Sequence, residues 1–179
     1  MKYNSIAEIY SANENIRTRF LAAVTSLSPD EAAALPEGEK WTIEKIVEHV
    51  ALVNGSMSKI CSRLLSKAQA EGKSSGGLVA VSDDFMTKSS AIVGVKVEAP
   101  EFVQPAGGKP IGESLAEIEA ITAKFNEMRE LFETLDGNTH KFPHPFFGDM
   151  SAIEWLVLVG GHEMRHTVQI EKLAAKIRD

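Results

Sequence analysis

Residues 151–178 read SAIEWLVLVGGHEMRHTVQIEKLAAKIR, and the spacing inside that run decides the architecture. An α-helix turns about 100° per residue, so Ala152, Trp155, Val159, Ile170, Leu173 and Ile177 share one face of a single long helix. Ser151 and Glu154 have the spacing of a capping box, which starts the helix. Lys176 and Arg178 in its last turn suit the negative end of the helix dipole. His162 and His166 fall within the apolar stripe, so two imidazoles interrupt a core seam. Gly160 and Gly161, just ahead of them, cost roughly 2 kcal/mol of helix propensity relative to two alanines, which close approach of a neighbouring helix would offset.

Three further segments carry the same periodicity. The first runs from about Ser5 to Leu27 with Ile6, Ile9, Ile16, Phe20, Val24 and Leu27 in a stripe, and stops at Ser28-Pro29. The second opens at Thr42, an N-cap residue, and reaches about Ala70. Its stripe of Ile43, Ile46, Val50, Val53, Met57, Ile60 and Leu64 alternates steps of three and four, the pattern of helices packed nearly parallel. The third starts after Pro110 and ends near Asp136-Gly137, with Leu115, Ile118, Ile121, Phe125, Met128, Phe132 and Leu135 facing inward. The class is all-α, a four-helix bundle, with 1–179 read as one domain. About forty residues, 71–110, separate the second and third helices. A link that long fits a crossover that lets those helices run parallel, with one short helix around Ser82 to Ile92 and an extended stretch at Val93 to Val97.

Composition narrows the function. The net charge of −6 lacks the concentrated Lys and Arg that nucleic acid or an anionic membrane surface demands. No apolar run approaches the ~20 residues of a membrane-spanning helix. Cys61 is the lone cysteine and reads as a small buried hydrophobe, and the N-terminal residues lack a secretory apolar run. A cytoplasmic protein whose partner is neither nucleic acid nor membrane is the expectation.

The histidines carry the chemistry. His162 and His166 stand at i and i+4, one helical turn apart, the spacing at which two imidazoles grip one ion. His162-Glu163-Met164-Arg165-His166 also matches the zinc-protease pattern H-E-x-x-H, but the extended motif needs a glycine and a third histidine where this chain has Gln169 and Lys172. Glu171 on the same helix is a formal third ligand. The more economical one is His49, three residues after Ile46 and four before Val53, at the edge of the second helix's buried stripe.

Trp41-Thr42-Ile43-Glu44-Lys45-Ile46-Val47-Glu48-His49-Val50 resembles the start of the second helix of DinB-like proteins. His144-Pro145-Phe146-Phe147-Gly148-Asp149-Met150, Glu154-Trp155-Leu156 and the run from Gly161 to Ile170 resemble their final loop and helix. This family is distinct from the DNA polymerase of the same name. The resemblance implies up-down-down-up topology, frequent dimers, and a metal held by three histidines, which here are His49, His162 and His166. The wider superfamily is similar to metal-dependent enzymes that use small thiols, among them bacillithiol S-transferases and a mycothiol-dependent isomerase.

Three neutral nitrogen ligands leave coordination positions open, the arrangement of a catalytic metal. Zinc or nickel is expected first and iron or cobalt next. Such an ion favours the ionised form of a thiol or a water, so thiol S-transfer with a low-molecular-weight thiol cosubstrate is the lead reaction and hydrolysis the second. Hydrolysis wants a carboxylate at the site, and Glu163 is the local candidate for a catalytic role; its other reading is a surface partner of Arg165 or Lys172. The rival from another class is a non-catalytic, stress-responsive metal-binding bundle. His144 reads as a residue that orients its turn by hydrogen bonding, and Trp41, Trp155, Phe146 and Phe147 as core and loop anchors.

Overall fold

Capping side chains set five of the α-helix starts in the computed structural model, which describes residues 3–92, 95 and 97–179. Ser5 Oγ accepts the Glu8 N–H at the start of α1 (Ile6–Thr25). A short α2 (Pro29–Ala33) follows, with a Ser28–Glu31 capping box and proline in its first turn, where a missing N–H costs nothing. Thr42 caps α3 (Ile43–Ala70) through the Lys45 N–H, and Ser82 caps α4 (Asp83–Ala91) through the Phe85 N–H. A 3₁₀ turn occupies Glu101–Val103. Next come α5 (Ile111–Glu127) and α6 (Arg129–Thr134). The final helix α7 (Ala152–Arg178) begins at a complete Ser151–Glu154 capping box.

The order of contacts gives the topology. Asn13 meets α7 at Leu156, Arg17 at Glu163 and Arg19 at Glu171, so α1 and α7 run parallel. Cys61, late in α3, lies against Ala152, whereas Ile43 to Val50 share a core with Ile170 and Leu173, so α3 and α7 are antiparallel. Ile46 and Val50 pack in the same core as Ile118, while Met57 and Leu64 pack with Phe125 and Phe132, which makes α3 and α5 parallel. The bundle is up-down-down-up, with the 71–110 crossover carrying the chain back between α3 and α5. Residues 93, 94 and 96 of the stretch expected to be extended lie outside the described residues.

Three features depart from the expected elements. The third helix breaks at Met128, where the Tyr10 hydroxyl donates to the Phe125 carbonyl (2.6 Å), giving that acceptor a partner from outside the helix. Residues 141–151, read as loop, form a hairpin of β1 (Lys141–His144) and β2 (Gly148–Ser151), antiparallel with Lys141 opposite Ser151. Four-residue strands, the first containing Pro143 and joined to the second by a turn at Pro145, carry little periodic signal. Phe146 at the hairpin tip is exposed, not an anchor, while Phe147 and Trp155 are buried.

The paired glycines of α7 have different neighbours. A Cβ on Gly160 would come within 2.2 Å of Asn13 Oδ1 and 3.1 Å of Ile16 Cδ1, so its missing side chain is what lets α1 close onto α7. A Cβ on Gly161 would meet nothing within 4 Å. Close packing accounts for the first glycine only.

Candidate metal centre

His49 on α3 and His162 and His166 on α7 converge inside the bundle. His162 Nε2 lies 3.3 Å from His49 Nε2 and 3.2 Å from His166 Nε2. His49 and His166 are buried and His162 partly so. Antiparallel packing of α3 on α7 brings position 49 level with 162 and 166, and the one-turn spacing on α7 stacks its two rings on the same side.

Each ring's outer nitrogen indicates what the inner one offers. Nδ1 of His49 faces the Val103 carbonyl at 2.7 Å, and Nδ1 of His166 faces Gln169 Oε1 at 2.9 Å. Both partners are oxygen acceptors, so both Nδ1 atoms carry hydrogen, and both Nε2 atoms turn lone pairs inward. His162 Nδ1 is shielded from solvent and has no hydrogen-bond partner among the described residues. One hydrogen on His162 Nε2 serves only one neighbour at a time, whereas a cation satisfies three lone pairs together.

The spacing fits such an ion. Metal–nitrogen bonds of ~2.0–2.1 Å in tetrahedral geometry put ligand nitrogens about 3.3 Å apart, close to both distances seen. Acceptors behind metal-bound imidazoles are also the usual means of fixing tautomer and ring direction.

Burial keeps the rings neutral. It lowers the pKa of His49, against the opposing effect of the Val103 bond. His162 lies well below the ordinary histidine value, through burial first and then the nearby His166, His49, Arg165 and His144. Burial foremost brings His166 down to about 3. Unprotonated imidazole is the form that ligates.

Glu163 points elsewhere. It is fully buried and accepts Arg17 Nε at 2.7 Å through Oε2, Arg17 Nη2 through Oε1, and Asn54 Nδ2 at 2.6 Å through Oε1. Arg17 also donates to Thr122 Oγ1. One side chain from each of α1, α3, α5 and α7 thus joins one buried network, and Glu163 is absent from the ligand atoms that cluster with the histidines. The surface pairing with Arg165 or Lys172 is corrected to a core pairing with Arg17. Arg165 donates instead to the carbonyls of Ile92 and Val95, and Glu171 pairs with Arg19 on the surface.

The surroundings come from the crossover and the hairpin. The Trp41 ring packs on His49 with centroids 5.0 Å apart. Glu48, beside His49, accepts the N–H groups of Ala106 and Gly107. His144 Nδ1 accepts the N–H groups of Phe146 and Phe147, so it orients its turn, and burial lowers its pKa to about 4. Sequence reasoning missed Arg17, Asn54 and the acceptor role of Gln169. Only Gln169, three residues past His166, carried a readable signal, as an i, i+3 pair on one helix face. Cavities of about 260 Å³, beside Ser5, Leu78 and Phe132, and about 130 Å³, beside Ser82, Lys141 and Glu154, touch none of the three histidines.

Comparison with known proteins places the chain. The sequence profile of the DinB superfamily matches residues 12–170, a span that contains all three histidines. The chain is 24% identical over 157 residues to the uncharacterized protein YuaE of Bacillus subtilis (strain 168), covering 84% of this chain and 88% of that one. Its fold is similar to the crystal structure of TT2238, a four-helix bundle protein, with a TM-score of 0.61 at 24% identity, covering 94% of this chain and 99% of that one.

Proposed function

Starting from a chain that belongs to the DinB superfamily, we propose that it is a metal-dependent enzyme acting on small molecules, with thiol S-transfer as its reaction. His49, His162 and His166 would hold one divalent transition metal, zinc or nickel before iron or cobalt. The observation that carries this is the meeting of three Nε2 atoms at 3.2 and 3.3 Å, two of them backed by acceptors on Nδ1. When bound, the ion supplies a Lewis acid that favours the ionised form of a thiol.

The chain's own residues have separable tasks. Val103 and Gln169 hold hydrogen on the outer nitrogens, so the inner ones stay free to ligate. Trp41, packed on His49, keeps water from one side of that ring. Arg17 and Asn54 engage both oxygens of Glu163, which favours thiol transfer over a hydrolysis that uses Glu163 as its base. In the transfer, a carbon–sulfur bond forms between the thiol and an electrophilic carbon. The bond to the leaving group breaks, that group departs with the electron pair, and the thiol proton passes to solvent.

One observation favours a second reading, a non-catalytic metal-binding bundle: His49 and His166 are buried in the bundle. The deciding experiment loads the protein with zinc or nickel and follows consumption of an aryl halide with and without a low-molecular-weight thiol. Turnover that needs both metal and thiol supports the transferase. Metal bound stoichiometrically with no turnover supports the second reading.

A further inference from the structure

Glu48 precedes His49 on α3, is buried, and yet points both carboxylate oxygens at main chain far away in sequence. Oε1 accepts the Ala106 N–H at 3.1 Å and Oε2 the Gly107 N–H at 3.0 Å. Three residues before Ala106, the Val103 carbonyl takes Nδ1 of His49 at 2.7 Å. Gly107 has φ of 81°, a conformation that favours glycine, and its α-carbon face lies against the Lys45 side chain one turn earlier on α3. The crossover thus touches α3 at Lys45, Glu48 and His49. On the α7 side, Arg165 beside His166 takes the carbonyls of Ile92 and Val95. A carboxylate next to one histidine holds N–H groups of the crossover, and a guanidinium next to another holds its carbonyls.

We propose that Glu48 is a positioning residue of the histidine centre: by pinning Ala106 and Gly107 it keeps the Val103 carbonyl on His49 Nδ1, which fixes the tautomer that presents Nε2 to the metal. The inference rests on the three histidines being a metal centre. The carbonyl at Val103 belongs to an irregular segment braced locally by a three-residue 3₁₀ turn and by the Gln104 side chain donating to the Ala99 carbonyl. Among the described residues, the crossover is registered against this part of α3 by the His49 bond, the Lys45–Gly107 contact and the two charge-assisted bonds to Glu48, and only the last tie its backbone N–H groups. Loss of a partner behind a metal-bound histidine typically weakens metal binding by about 10–100-fold.

The test uses the full-length chain as wild type, Glu48→Gln, Glu48→Ala and His49→Ala. Zinc affinity is measured by competition with a chromophoric chelator, and the His49 tautomer of the metal-free protein by ¹⁵N NMR of the ring nitrogens. The wild type is expected to bind one zinc and to show His49 with hydrogen on Nδ1. Glu48→Ala should bind about 10–100-fold more weakly at unchanged stoichiometry, with the His49 nitrogens moving toward a mixture of tautomers. Glu48→Gln, whose amide oxygen can still accept one N–H, should fall between and guards against a folding defect in the alanine variant. Wild-type zinc affinity and an unmoved tautomer in Glu48→Ala, with binding lost in His49→Ala, would overturn the role of Glu48 while leaving the metal centre intact. No zinc binding by the wild type would overturn both.

Discussion

The Glu163 carboxylate accepts Nε and Nη2 of Arg17, so the residue next to His162 is tied across the core to α1 and not turned toward the histidines. A buried pair of this kind is expensive to break by halves. Arg17→Met or Glu163→Leu alone should lower the unfolding free energy by about 3–5 kcal/mol, because each strands a buried charge. The double variant should lose far less, since it strands none. Urea unfolding of the three variants decides it, and a double variant as unstable as the summed singles would sink the argument.

Adjacent glycines should respond with opposite signs. Gly160→Ala pushes a methyl group into Asn13 and Ile16 and should cost about 1–3 kcal/mol. Gly161→Ala meets open space and should stabilise α7 by about 0.5–1 kcal/mol. Thermal melts of both variants, compared with wild type, read the two shifts directly.

Acid should destabilise the metal-free protein early. In the unfolded chain histidine takes up protons below pH ~6.5, whereas folded His144 holds out to about 4 and His166 to about 3. The unfolded state therefore binds more protons across that interval, and stability present above pH ~6.5 is lost progressively as pH falls toward 3. Urea midpoints at pH 7.5, 6.5 and 5.5 should fall in that order. A midpoint that held steady from 7.5 to 5.5 would contradict the burial of these rings.

Zinc should raise stability by mass action, by about 2.7 kcal/mol when free zinc is 100 times its dissociation constant. A chelator should reverse the gain, and His49→Ala or His166→Ala should abolish it. Elemental analysis gives the second measure: full occupancy in His49→Ala would remove that residue from the ligand set.

His144→Ala should loosen the hairpin and its packing on Trp155. It removes the acceptor for the Phe146 and Phe147 N–H groups, at about 1 kcal/mol, and should leave zinc stoichiometry unchanged. Loss of zinc in this variant would show that His144 reaches the centre.

The helical frame and the three histidines were legible because both obey a period. Apolar steps of three and four marked the four long helical segments, though not the break of the third at Met128, and the caps at Thr42 and Ser151 marked two starts to the residue. The same arithmetic set His49, His162 and His166 on inward faces. What escaped was everything aperiodic or long-range. Arg17 gave no signal because a helix wheel cannot see the carboxylate awaiting it 146 residues later. The hairpin was too short and proline-rich to alternate, and the bonds from Glu48 depend on how an irregular crossover lies across α3.

His49 and His162 are 113 positions apart, and α7 brings two of the three imidazoles. Closing so wide a loop is slow and depends on the other helices having found their places. On the proposed function, capture of a metal by the three histidines would then be a late event in folding, because the site does not exist until α7 lies on α3. Binding of that ion would report that α7 has docked on α3.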